Sequence, residues 1–172
     1  MTNSAQPARP DDLNDVGVLR RREIEARVIG PLVERFAAEF GQDRVTELVT
    51  EVVVDIARTQ GAALAGHMGG KDLTYLADSM EAWTRGGALE LDVIERSPDR
   101  FAFNVTRCKY AEMYRELDMA DLGASLSCNR DATLVQGFNP DISFQRSQTI
   151  MGGASHCDFV YELDPTEQPV DL

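Results

Sequence analysis

The chain has 172 residues, 43% of them apolar and 27% charged, the composition of an ordinary globular domain long enough to bury a core. Seventeen Lys and Arg against 29 Asp and Glu leave a net charge of −12, which excludes the basic footprint that nucleic-acid phosphates or anionic lipid require. No apolar run approaches a membrane span, and the polar opening MTNSAQPARPDDLND lacks a signal-peptide core, so the expected location is the cytoplasm, with three free thiols.

Residues 1–15 read as a disordered tail, 16–163 as a single domain, and 164–172 as a second polar tail. From Val18 to Phe40, Ile24, Val28, Leu32, Val33, Phe36 and Phe40 recur at helical spacing and are expected to be buried. Pro31 predicts a kink or a new helical start there, and Gly41 a stop. A second helix is expected over 43–64, with Val45, Leu48, Val49, Val52, Val53 and Ile56 as its buried stripe. GHMGGKD breaks the pattern, and a third helix follows over 72–85.

The period then switches to two. LELDVIE (89–95) and FAFNVTR (101–107) alternate around the turn SPDR, which predicts a β-hairpin. A helical region over 109–136, interrupted near Gly123, leads to the turn Gly137-Phe138-Asn139-Pro140. ISFQRSQTIM (142–151) and HCDFVYEL (156–163) read as two more strands joined by GGAS. The order defines an α+β fold, with N-terminal helices packed on one antiparallel sheet of about four strands.

Cys108, Cys128, Cys157 and His156 all fall in the C-terminal part of the chain, near element boundaries. Cys108 is expected in the first turn of a helix capped by Thr106 or Arg107. There the unpaired N–H groups, the helix dipole, Arg107 and Lys109 would favour a thiolate. Against this stands the ordinary role of cysteine as a small buried apolar group. His156 and Cys157, as neighbours on a strand, point to opposite faces. Cys157 therefore shares a face with Phe159 and Tyr161, and His156 with Asp158, which would orient its imidazole. Asp131, three residues past Cys128, lies on the same helical face. His67 reads as a surface histidine. The three cysteines and His156 have the composition of a Cys₃His zinc site but none of its close spacing, so no cofactor is expected and zinc stands as the alternative.

RCKYAEMYREL, LSCNRD, GFNPDISFQRSQTIM and GASHCDFVY, in that order, resemble the L-2-amino-thiazoline-4-carboxylic acid hydrolase family. The likeness is strongest from Asn104 to Tyr161, with Asp118, Ser147 and Gly152 departing from the family's usual residues. The resemblance implies hydrolytic opening of a small cyclic isothiourea. Such chemistry needs a nucleophile, a proton donor for the leaving atom, and a carboxylate for the cationic amidine. The expected catalytic set is Cys108, His156 and Asp158, with Cys128 and Cys157 as further thiols. Glu112 or Asp131 would hold the amidine, and Arg130 or Arg146 a substrate carboxylate, with Asn139 beside them. A non-catalytic ligand sensor and a zinc hydrolase are the competing readings. The expected partner is a small-molecule substrate, with no nucleic acid and no membrane, and a homo-oligomer is left open.

Overall fold

The computed structural model describes residues 16–163, and the two expected tails lie outside them. Two long helices come first, α1 (Val18–Phe40) and α2 (Gln42–Met68). α1 runs unbroken through Pro31, although proline removes one hydrogen bond of the helical ladder. α2 extends past the expected end at residue 64 to Gly69, whose left-handed backbone (φ 77°) closes it with an N–H bond to Ala65 O.

The expected helix over 72–85 is two short ones, α3 (Leu73–Ser79) and α4 (Glu81–Thr84), followed by a 3₁₀ turn at Arg85–Gly87. Asp72 caps α3 by accepting the N–H groups of Thr74 and Tyr75 at 2.8 and 3.2 Å. The buried Ser79 hydroxyl donates back to Leu76 O at 2.7 Å. Such back-bonding competes with the helical ladder and favours a break there.

The hairpin β1 (Leu89–Arg96) and β2 (Arg100–Cys108) forms around Ser97-Pro98-Asp99-Arg100. The region after Cys108 divides into α5 (Lys109–Glu116), α6 (Ala120–Gly123), a π turn (Ala124–Cys128) and α7 (Arg130–Phe138). Asp118 adopts a positive φ of 57° between α5 and α6. Strands β3 (Ile142–Gln145) and β4 (Cys157–Leu163) complete one antiparallel sheet, ordered β1-β2-β4-β3.

The strand expected over 142–151 stops at Gln145. Asp158 accepts the backbone N–H groups of Ser147 and Gln148, and Cys157 Sγ accepts that of Ile150 at 3.1 Å. Side chains of β4 thus take the donors a longer β3 would have offered to a ladder.

Register places Phe103 opposite Phe159, Phe101 and Phe144 opposite Tyr161, and Val105 opposite Cys157. The aromatic rings pack with one another, as in the Phe103–Phe159 stack at 5.0 Å. Leu73, Leu76, Val135 and Phe138 cover this cluster from the helical layer. α2 and α7 meet at van der Waals limits. A Cβ on Gly61 would lie 1.9 Å from Leu134 O, and one on Gly137 would lie 2.0 Å from Arg58 O.

The buried stripe of α1 is Val18, Arg22, Ala26, Gly30 and Val33, and that of α2 is Val45, Val53, Ala57 and Gly61. Ile24, Val28, Leu32, Phe36 and Phe40, expected inside, are 48–67% exposed, and Leu48, Val52 and Ile56 are also exposed. Small residues let α1 and α2 approach the rest of the fold closely, which turns the bulkier i, i+4 ridge outward.

Candidate active site

Between the sheet and the helices lies a cavity of about 100 Å³, room for several waters or one small ligand. The sheet contributes Phe103, Val105, Phe159 and Tyr161 to its wall, and Leu76, Met80 and Trp83 close it from α3 and α4. All three cysteines line it, together with Asp131, Arg146, Arg130 and Arg22.

Cys108 ends β2 and is itself the N-cap of α5, one residue earlier in the helix than expected, with Sγ accepting Ala111 N–H at 3.4 Å. The flanking cations do not serve it. Arg107 pairs with Glu112 at 2.8 Å and Glu90 at 3.4 Å, and Lys109 Nζ donates to Gly86 O at 2.9 Å. Burial pushes the Cys108 thiol up, past the lowering effect of the Ala111 and Tyr110 N–H groups. The helix start therefore offsets desolvation only in part, and the expected resting thiolate does not form at neutral pH.

Burial also pushes Cys128 up, to about 12, with Asp131 adding to the rise and Arg146 opposing it. Cys157 is raised by burial against the Ile150 N–H bond. β4 begins at Cys157, one residue later than expected. Cys157 lines the cavity with Phe159 and Tyr161, whereas His156, just before the strand, contacts Gln148 Nε2 at 2.9 Å and Ser155 Oγ at 3.0 Å, away from the lining. Asp158 binds Ser147 and Gln148 rather than the imidazole. Burial favours its neutral form, but those hydrogen bonds hold its carboxyl below the usual range.

Asp131, in the first turn of α7, pairs with Arg146 across the cavity wall. Burial lifts its carboxyl to about 6, and Arg146 limits the rise. Arg146 also donates to Cys128 O at 3.3 Å, and its guanidinium lies 5.7 and 5.4 Å from the Phe144 and Phe159 ring centroids. Arg130 is 7% exposed. It donates to Leu126 O at 2.8 Å and Gln60 Oε1 at 3.3 Å, and approaches Glu25 at 3.5 Å. Burial lowers its pKa to about 10.

Glu112 lies on the outer face, held by Arg107. Asn139 is buried but structural: it donates to Lys71 O at 3.0 Å and accepts Asp141 N–H at 3.0 Å, fixing the turn into β3. His67 is exposed in the last turn of α2. Among the described residues, no three of His, Cys, Asp and Glu gather closely enough to hold a metal ion. His156 stands just before β4 and, unlike the three cysteines, does not line the cavity. Arg22 was absent from the residues expected at a site. Its signal was positional: a charged residue in the register of Val18, Ala26 and Gly30 is buried, and a buried arginine needs partners.

Fold and cavity together define an α+β domain with a chamber between sheet and helices, apolar in its walls and charged on its α1–α7 side. The sequence profile of the L-2-amino-thiazoline-4-carboxylic acid hydrolase family matches residues 21–161, and the chain belongs to that family. No curated protein matches the chain.

Among solved structures it is similar to trafficking protein particle complex subunit 3 from Naegleria fowleri, covalently bound to palmitic acid. That likeness is one of fold, with 9% identity and a TM-score of 0.50 over 84% of this chain and 95% of that one. The phenol-responsive sensory domain of the transcription activator PoxR, solved with phenol, has 10% identity and a TM-score of 0.49 over 81% of this chain and 75% of that one. Among the described residues no helix is long and apolar enough to cross a membrane.

Proposed function

We propose that this chain hydrolyses a small cyclic amidine or isothiourea of the 2-amino-thiazoline-4-carboxylate kind, using a cysteine of the chamber as nucleophile. The observation that carries the reading is the convergence of three thiols with the Asp131–Arg146 pair on one cavity, in a chain of this family.

Cys108 is the nucleophile of choice. Cys108 lines the chamber, and its Sγ already accepts an N–H bond at a helix start, an arrangement suited to a transient thiolate. Because burial keeps the thiol protonated, a base must take its proton as attack begins. Asp131, with its carboxyl near 6, is ionised at neutral pH and poised for that exchange.

The thiolate adds to the amidine carbon, whose C=N electron pair moves onto nitrogen. Collapse breaks one ring bond to that carbon, and the leaving atom takes the proton back from Asp131. One water then displaces Cys108 Sγ and completes the hydrolysis. His156 and Asp158 have no part in this route, since neither lines the chamber.

Incubation with racemic 2-amino-thiazoline-4-carboxylate, followed by mass spectrometry, tests the proposal. Expected are a product heavier by one water and its loss in folded Cys108→Ala. Undiminished turnover in that variant removes Cys108 as nucleophile. The raised pKa of all three thiols favours one competing reading, a chamber that binds a small acid without converting it. Saturable binding without product would establish that reading instead.

A further inference from the structure

The chamber's charge runs against that of the chain. In a protein of net charge −12, three guanidiniums (Arg22, Arg130 and Arg146) line it together with one carboxylate, Asp131. Behind them, among the described residues, Glu25 is the other acid in contact, so the three lining guanidiniums face two carboxylates.

The surplus can be located. Arg146 is committed to Asp131, Cys128 O and two aromatic faces. Arg130 spends its donors on Leu126 O, Gln60 and Glu25. Arg22 is held by Glu25 alone among the described residues, through one Nη at 2.6 Å. Glu25 is in turn shared with Arg130 at 3.5 Å and Arg21 at 3.1 Å.

Arg22 is only 6% exposed, yet it lines the cavity, and among the described residues its further N–H donors have no protein partner. Beside it the Tyr114 hydroxyl is buried without a hydrogen-bond partner among the described residues. A buried guanidinium with spare donors and a shared counter-ion is costly unless an anion completes it. The planar fork of arginine matches a carboxylate in particular.

We propose that Arg22, backed by Arg130, is the seat for the carboxylate of a small monoanionic acid in the chamber. Arg22 is then a specificity-determining residue, leaving Asp131 and Cys108 for the other end of the ligand. The assignment rests on the proposed hydrolase reading only for the identity of the acid, because the seat requires no turnover.

The test is calorimetric titration of the full chain with thiazolidine-4-carboxylate and with thiazolidine. Neither has the amidine carbon that the proposed reaction opens, and they differ only in the carboxylate. The wild-type chain is expected to favour the acid by at least about 10-fold, the scale of a charged hydrogen-bonded contact. In Arg22→Gln that preference should fall to about 2-fold or less, with thiazolidine affinity unchanged. Arg22→Lys, which keeps the charge and loses the fork, should lie between the two and serves if the glutamine variant does not fold.

Equal affinity of the wild-type chain for both compounds, no saturable binding of the acid, or a preference that survives in the Arg22 variant would each overturn the proposal. Turnover of 2-amino-thiazoline-4-carboxylate is measured in parallel. Acid preference without turnover keeps the seat and removes the hydrolase. Turnover without acid preference does the reverse.

Discussion

Replacing Asp131 with asparagine isolates the cost of its buried charge. Burial lifts the folded-state carboxyl from 3.8 to about 6, against the pull of Arg146. That rise is worth roughly 3 kcal/mol at most, since each pH unit corresponds to about 1.4 kcal/mol. The side chain keeps 31% of its surface accessible where it lines the cavity, so cavity water screens part of the charge and the full value is an upper bound.

The sign follows from where the proton sits. An unfolded chain releases it near 3.8 and the folded chain only near 6, so between these values the folded state binds more proton. The stabilisation from this group is whole below 3.8, falls as pH rises, and is gone above about 6. Urea unfolding of wild type and Asp131→Asn, compared from about pH 4 to about pH 8, subtracts the other carboxylates. Wild-type stability minus variant stability should fall by up to ~3 kcal/mol over the lower half of that range and then level off. A flat difference, or one that rises with pH, refutes the buried-charge argument. Turnover, if Asp131 is the base, should rise through about pH 6 in wild type and be lost at every pH in the variant.

Iodoacetamide at neutral pH should label all three thiols slowly in the folded chain and quickly after unfolding, with Cys128, pushed to about 12, the slowest. Peptide mapping reads the order, and fast labelling of folded Cys108 would contradict its burial. Gly61→Ala drives a Cβ against Leu134 O and should cost about 1–3 kcal/mol, measured by thermal unfolding. Asn139→Ala leaves Lys71 O and Asp141 N–H without their partner, and should destabilise by about 1–3 kcal/mol in the same assay without altering ligand preference. His156→Ala should leave turnover within about 3-fold of wild type, because the ring hydrogen-bonds Gln148 and Ser155 and does not line the cavity.

Local patterns were legible where one physical rule decided them. Alternation around Ser97–Arg100 gave the hairpin, and the period of two put Cys157 with Phe159 and Tyr161, as the cavity wall has them. Apolar spacing found both long helices and the buried Val33, Val45 and Val53, but also put an exposed ridge inside. Ile24 to Phe40 satisfy helical periodicity as well as the true buried stripe does, and the stripe was set by small residues, Ala26 and Gly30, that permit close packing. The end of β3 was hidden because its donors are taken by Asp158 and Cys157, contacts across the chain that no local period encodes. The chamber was legible in its cysteines, Asp131, Arg130 and Arg146. Glu112, Asn139 and His156 carried suitable chemistry but point elsewhere, and Arg22 went unseen because the run Arg20-Arg21-Arg22 looks like surface.

The side-chain bonds that end β3 have a consequence for access. Residues 147–150 are fastened to β4 by the Asp158 carboxylate and the Cys157 sulfur, and beyond it by His156 and Arg115, so their release breaks no rung of the sheet and leaves the β2–β4 pairing whole. The segment sits between Arg146 and Met151, both part of the chamber wall. Freeing this stretch of the wall therefore costs polar contacts and the packing of Ile150 against the core, and no strand pairing.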